Sequence, residues 1–219
     1  MKIAVIIVAG GSGKRMGQPK QFLPLAGKAV VSWNVEAFKK IKGVDQIILV
    51  VANEDLEKAK LLGCAVAESG RERTDSVRNG LKLVSPDTEL VIIHDGARPL
   101  ITTDVIEKAI KEAREYGAAV VGVPVKDTIK KVDSRELIVE SSLNRDDLWQ
   151  AQTPQVFKYE IITRAYASGK KATDDAKLVE DLGIKVKMVM GSYENLKVTT
   201  PEDLIAAEAI LRSRNVLPK

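Results

Sequence analysis

The feature that most constrains this chain is a short apolar run, residues 3–9, that passes without interruption into glycine and positive charge: IAVIIVAGGSGKRMGQPKQ. The run is far shorter than the roughly 20 residues a membrane span requires, so it reads as a buried first strand. Gly10, Gly11 and Gly13 then let the backbone turn sharply and bring its N–H groups close to an oxyanion, while Lys14, Arg15 and Lys20 supply charge for a polyphosphate. The loop suits a nucleoside triphosphate, although an ordinary turn at a strand end would also contain glycine. Neither familiar phosphate-loop pattern fits. A P-loop needs glycine at position 8 and Ser or Thr at 15, where the chain has Val8 and Arg15; a dinucleotide fingerprint on Gly11 and Gly13 needs a small residue where Met16 stands.

Downstream, β-branched runs alternate with helical patterns, as expected of βαβ units around a mainly parallel sheet in an α/β protein. Strands are predicted at 3–8, 46–51, 90–94, 118–123, 148–152, 186–190 and 196–199, and helices at 31–41, 54–62, 73–84 and 104–116. In the last of these, Val105, Ile106, Ala109, Ile110 and Ala113 form one apolar stripe. Thr200, Pro201 and Asp203 announce a final helix with a capping hydroxyl, a preset first turn and an acid three residues on, burying Leu204, Ile205, Ile210 and Leu211. The exception to the alternation is 127–145, which reads as two short strands around Asp133 and Ser134. Such a ribbon is marginal in water, and Leu137, Ile138 and Val139 give it apolar surface to bury, either on its own domain or on a partner chain. Residues 1–219 are expected to form a single domain carrying this β-arm.

Composition removes several function classes. The 34 basic and 30 acidic residues nearly balance, and aromatics make up 4% of the chain, so neither a basic nucleic-acid face nor a base-stacking platform is expected. Cys64, the single cysteine, has no internal disulfide partner and is expected to be a buried thiol on a short strand; His94, the single histidine, cannot build a histidine zinc site. No membrane association is expected, and a cytoplasmic location follows from reading the first apolar run as a strand rather than a leader.

Open parallel sheets bind ligands beyond the carboxyl ends of their strands. The strand at 90–94 ends there in Asp95, Gly96, Ala97, Arg98 and Pro99, and the residue before a proline stays extended, leaving Asp95 and Arg98 at the rim to face a ligand or to pair with each other. Thr153 before Pro154, and Lys197 ahead of Thr200–Pro201, are weaker candidates of the same kind. The segment SGRERTDSVR at 69–78 puts glycine and arginine at a helix start, with Ser76 in its first turn and Thr74 or Asp75 available as a simple cap.

Taken together, AGGSGKRM with PKQ, ERTDSV, HDGARP, KDT, NRDDLWQAQTPQ, TDD and LKVTTPEDL, in order from Ala9 to Leu204, resemble the 2-C-methyl-D-erythritol 4-phosphate cytidylyltransferases. The resemblance implies a Rossmann-like nucleotidyltransferase that joins CTP to a sugar-alcohol phosphate and releases pyrophosphate, with Mg²⁺ carried in on CTP. It implies that Arg15 and Lys20 stabilise charge on the α-phosphate beside Lys14. Ala9, Gly10, Gly70 and Ser76 would hold the cytidine along the Gly11–Gly13 loop, with Gly96 near the ribose. Arg145 and Lys197 would position the sugar phosphate, assisted by Asp95, Arg98, Thr128, Thr153 and Thr173. The ribbon would cross a homodimer, so that Thr128 and Arg145 serve the neighbouring subunit. Two departures from the family pattern stand out: Gly96 where alanine is common, and Glu194 in place of a frequent aspartate. A ribitol 5-phosphate cytidylyltransferase shares much of the pattern; the TDSV segment and the Leu148–Trp149 pair favour the erythritol enzyme. A non-catalytic nucleotide sensor would have lost a loop cation, and Met16 argues against an NAD(P) oxidoreductase.

Overall fold

The computed structural model describes residues 2–11, 13, 16, 17 and 19–214. In chain order, β1 (Ile3–Ala9) is followed by a small hairpin, β2 (Pro24–Leu25) and β3 (Lys28–Ala29), then α1 (Val30–Lys39), β4 (Val44–Val51), α2 (Leu56–Lys60), β5 (Ala65–Glu68) and α3 (Arg73–Leu81). The second half runs β6 (Leu90–Asp95), α4 (Thr103–Tyr116), β7 (Ala118–Pro124), β8 (Lys130–Val132), β9 (Val139–Ser142), β10 (Trp149–Lys158), α5 (Tyr159–Ala167), α6 (Asp175–Glu180), β11 (Lys187–Met190) and α7 (Pro201–Ser213).

Among the described residues, seven strands form one sheet in the order β11-β7-β10-β6-β1-β4-β5. Pairings are parallel except where β10 enters antiparallel between β6 and β7. Successive side chains of a strand point to opposite faces, and β1 divides accordingly. Ile3, Val5 and Ile7 join Val35 and Phe38 of α1 and Ile106 and Ile110 of α4 on one face; Ala4 and Ile6 join Val77 of α3 and Ile162 of α5 on the other. Because both faces are covered, the strand reads as unbroken hydrophobicity rather than alternation. This is the α/β, mainly parallel arrangement expected from the sequence, with the carboxyl ends of β1, β4, β5 and β6 along one rim.

The helix stripe of α4 is buried as predicted, and α7 carries the predicted capping box, with Thr200 Oγ1 accepting the Asp203 N–H and Asp203 Oδ2 accepting the Thr200 N–H. Other boundaries differ for local reasons. Residues 53–55 form a 3-10 turn before α2, and α3 starts from Glu72, whose N–H is taken by Asp75, so neither Thr74 nor Asp75 is the capping residue. β10 extends to Lys158, well beyond the expected 152: Pro154, which cannot donate to a ladder, lies at the register irregularity between Ala151 and Gln155, where β10 loses nothing by lacking an N–H. Residues 196–199 are not a strand. The Val198 N–H bonds the Ala97 carbonyl, but no ladder follows, and Val198 instead fills a small third core with Leu25, Trp33, Leu100, Ala207 and Leu211. That core lies on one side of α7 only, and Ile205 is left 72% exposed rather than buried. Cys64 is half-buried and precedes β5, correcting the expectation of a buried strand thiol. The ribbon β8–β9 forms as expected, with Leu137, Ile138 and Val139 exposed at 75%, 59% and 54%, so the arm does not fold back on its own chain.

Candidate active site

A cleft of about 530 Å³ opens at the carboxyl rim, between the loop after β1 and the turn that joins β5 to α3. Gly10, Gly11, Gly13 and Lys20 of the first loop line it, with Gly70, Arg71, Arg73 and Ser76 of the second turn and the paired Asp95 and Lys197. Glycine is required at two of these positions. A Cβ on Gly10 would lie 2.1 Å from the Ser69 Cβ, and one on Gly70 would lie 2.2 Å from the Asp75 Cβ. Gly13 adopts a left-handed φ of 64°, and the Gln21 side chain, itself buried, donates to the Gly11 carbonyl at 2.7 Å and anchors the loop. Ser76 accepts from the Gly70 N–H at 3.1 Å and donates to the Glu72 carbonyl, so its hydroxyl shapes the turn.

Asp95 is the electrostatic centre of the cleft. Its Oδ1 takes Arg73 Nε at 3.2 Å and its Oδ2 takes Lys197 Nζ at 2.7 Å. Burial alone would raise the Asp95 carboxyl, but Arg73, Lys197 and Arg98 together overcome it and hold the group well below the usual carboxylate range. The mutual Asp95–Arg98 pair is loose, with Arg98 Nε 4.0 Å away. Arg98 instead donates from NH1 to the Asn195 carbonyl at 2.7 Å and supports the segment that carries Lys197. Arg73, which the sequence did not single out from its neighbouring arginines, also reaches buried Asp175 at 2.7 Å.

Behind Asp95 lies a directional hydrogen-bond chain. The Asp95 N–H donates to Thr153 Oγ1 at 3.0 Å, and the Thr153 hydroxyl pairs with His94 Nδ1 at 3.0 Å. His94 Nε2 faces two acceptors, Asn34 Oδ1 at 3.0 Å and the Arg98 carbonyl at 3.2 Å, and therefore carries the proton. Asn34 completes the chain by donating to the Gly96 carbonyl at 2.9 Å. Thr153 and His94 thus fix the turn after β6 from the side away from the cleft. Burial pushes His94 down to about 4, against the smaller upward pull of Asp95, so it stays neutral in the native chain. The unfolded chain binds a proton near 6.5 and the folded chain does not, so stability present above 6.5 is lost as pH falls toward 4. Urea unfolding is expected to show a loss of about 2 kcal/mol between about pH 7 and pH 5, absent in His94→Gln; equal losses in both chains would show that another group is responsible.

The remaining candidates are placed as follows. Lys14 and Arg15 lie outside the described residues. Ala9 and Gly96 pack against each other beside the cleft: a Cβ on Gly96 would stand 2.9 Å from the Ala9 Cβ and 3.1 Å from the Val8 carbonyl, so glycine suits this backbone where the family often has alanine. Glu194 bonds Arg214 at 2.7 Å and keeps an acid's role. Thr173 is exposed in the loop before α6. Thr128 and Arg145 lie on the arm, where Arg145 bonds the Lys126 carbonyl at 3.0 Å, and the chain's own cleft does not include them. The residues missed from sequence are Arg73, Asp175 and Gln21. A signal for one existed in TDD: two adjacent acids precede a helix, and only one can cap it.

The acids lining the cleft, Asp95 and Glu72, are already engaged, Asp95 by its cations and Glu72 by Lys171 at 2.7 Å. Among the described residues, no group of three or more His, Cys, Asp or Glu could hold a metal, and no helix is long and apolar enough to cross a membrane.

The family model described as 2-C-methyl-D-erythritol 4-phosphate cytidylyltransferase matches residues 3–213. A curated 2-C-methyl-D-erythritol 4-phosphate cytidylyltransferase from Alkaliphilus oremlandii is 47% identical over 97% of this chain and 96% of its own length. Among solved structures, the 4-diphosphocytidyl-2C-methyl-D-erythritol synthase from Anaerococcus prevotii superposes with a TM-score of 0.85 at 33% identity, covering 96% of this chain and 98% of that one. The cytidylyltransferase from Thermus thermophilus gives 0.84 at 32% identity, covering 97% and 100%. With near-complete coverage in sequence and in fold, this chain belongs to the 2-C-methyl-D-erythritol 4-phosphate cytidylyltransferase family.

Proposed function

We propose that this chain transfers CMP from CTP to 2-C-methyl-D-erythritol 4-phosphate, giving 4-diphosphocytidyl-2-C-methyl-D-erythritol and pyrophosphate. The acceptor's phosphate oxygen forms a bond to the α-phosphorus as the bond to the β-phosphate oxygen breaks and pyrophosphate departs. A phosphate monoester is already ionised near neutrality, so the step needs no general base. The barrier is repulsion between two anions, which fixed cations can offset. The observation that supports this reading is the meeting of the glycine loop, Lys20 and Lys197 on one cleft that also contains Asp95.

In this reading Gly10, Gly70 and Ser76 cradle the cytidine, Lys20 with Arg15 and Lys14 faces the α-phosphate, and Lys197 receives the acceptor phosphate. Both acids in the cleft are engaged, so Mg²⁺ would be held by the triphosphate rather than by these residues, and would supply charge neutralisation for the pyrophosphate leaving group. The enzyme acts as one domain, residues 1–219, in a cytoplasm that supplies CTP. A pyrophosphate-release assay with CTP, supplied with either the erythritol or the ribitol phosphate, tests the assignment. Turnover with the erythritol phosphate is expected, and a preference for ribitol 5-phosphate would overturn it.

We further infer that the exposed arm serves a second subunit, bringing Thr128 and Arg145 to the neighbour's cleft, while Thr173, in the loop before α6, assists in positioning the acceptor. The exposed Leu137–Val139 tip and the absence of Arg145 from the lining of its own cleft support this. Arg145→Ala is expected to raise the acceptor KM with the CTP KM nearly unchanged. Refolding equal amounts of Arg145→Ala and Lys20→Ala chains together should restore about a quarter of wild-type activity, because half the dimers are mixed and each of those rebuilds one intact site. No recovery on mixing would place the arm in its own subunit's site.

A further inference from the structure

Asp175 is the first residue of α6 and is 0% exposed. It does not cap its helix. Asp174 does, accepting the Lys177 N–H at 3.0 Å, while Gln155 of β10 bolts this helix end to the sheet by donating to Asp174 and accepting from the Ala176 N–H. Asp175 is thereby aimed inward with both oxygens committed, Oδ1 to the Tyr166 hydroxyl and Oδ2 to Arg73 NH2. Arg73 gives the adjoining nitrogen of the same fork, Nε, to Asp95. A continuous line of charge therefore runs from Asp175 through Arg73 and Asp95 to Lys197, joining α6, α3, β6 and the segment before α7.

Burying an ion pair costs more desolvation than most attractions return, and a packed apolar pair would join α3 to α6 at least as well. What the ionic arrangement adds is control over Asp95. A guanidinium with no second carboxylate to serve is free to grip a carboxylate with two parallel N–H bonds. Asp175 holds NH2 away from Asp95, so Arg73 contributes one N–H to Oδ1 and Oδ2 is left for Lys197.

We propose that Arg73 and Asp175 are positioning residues of this site: Asp175 restrains Arg73 so that Asp95 holds the Lys197 ammonium where the acceptor phosphate arrives. The kinetic test rests on the cytidylyltransferase reading; a chemical test does not.

In the full-length chain, Asp175→Asn keeps an acceptor for Tyr166 but loses the charge that restrains Arg73. Its kcat/KM for the acceptor phosphate is expected to fall at least about tenfold with the CTP KM within about twofold. Arg73→Lys preserves the charge but lacks the fork that spans two carboxylates, and it should fall similarly, which keeps the proposal testable if Asp175→Asn does not fold. Tyr166→Phe removes the other bond to Asp175, on the side away from the cleft. It should lower Tm while leaving kcat and both KM values within about twofold.

In the ligand-free protein, trace acylation with acetic anhydride, read at Lys197 by peptide mass spectrometry, should quicken at least about threefold in Asp175→Asn and not in Tyr166→Phe, because an amine no longer held against Asp95 is freer to meet the reagent. Unchanged Lys197 acylation in Asp175→Asn, or kinetics in that variant no different from Tyr166→Phe, would overturn the proposal. If the wild-type chain itself failed to turn over these substrates, the functional reading would fall while the acylation result still decided the role of Asp175.

Discussion

Lys20→Ala is expected to lower kcat for CMP transfer by at least about a hundredfold, the size of effect seen when one preorganised donor to a developing charge is removed. The position of Lys20 gives the reason. It follows the glycine loop, its carbonyl accepts the Leu23 N–H at 3.1 Å, and its neighbour Gln21 ties the loop at the Gly11 carbonyl, so its backbone is fixed at the cleft wall before substrate binds. A cation held in place gives its full effect when negative charge builds on the α-phosphate, with little reorganisation during the step. The CTP KM should rise much less than kcat falls, since glycine-loop N–H groups remain to hold the nucleotide. Steady-state kinetics with CTP varied at saturating acceptor separates the two. Turnover within about threefold of wild type would move the phosphate clamp elsewhere.

The second large effect is expected at another lining residue of the cleft. Lys197→Ala should reduce kcat/KM for the acceptor by about a hundredfold while the CTP KM stays within about threefold, because in the proposed reaction the lost charge would receive the incoming phosphate rather than the nucleotide. Its segment is well supported: Val198 bonds the Ala97 carbonyl at 2.7 Å and is buried, Arg98 holds the Asn195 carbonyl, and Asp203 takes the Thr199 and Thr200 N–H groups. Lys197→Arg should recover part of the loss. If Lys197 were only an ornament on Asp95, its removal would cost less than about twofold, in keeping with the small worth of most half-exposed ion pairs.

How much of this was legible in the chain depends on whether the signal was local. β1, β4, β6 and β7 are covered on both faces and so appear as β-branched runs that need no partner to be recognised. β10 was recognised only in its first half, because Pro154 reads as a breaker unless the register irregularity around it is known. The opposite error arose at 196–199, where a strand-like composition is spent filling the small core under α7. At the site, the glycine loop and Asp95 were readable because each adjoins a recognisable strand, whereas Lys197 read by itself only as a weak candidate on a short strand that does not form. Thr153 was also readable, but not what its hydroxyl does: it is committed to His94 and the Asp95 N–H, a pairing between residues far apart in the sequence. Arg73 was missed for the same reason, and the TDD pair marked Asp175 without saying what it holds, since the two find their meaning in each other across distant segments of the chain.

In the proposed reaction, cations from separate segments act together on one reacting centre. Single-turnover CMP transfer in Lys20→Ala, Lys197→Ala and the double variant measures this directly. Groups that share a transition state do not lose independently, so the double variant is expected to be at least about tenfold faster than the product of the two single losses would make it. Losses that multiply as though the two lysines never met, or a Lys197→Ala chain as fast as wild type, would contradict it.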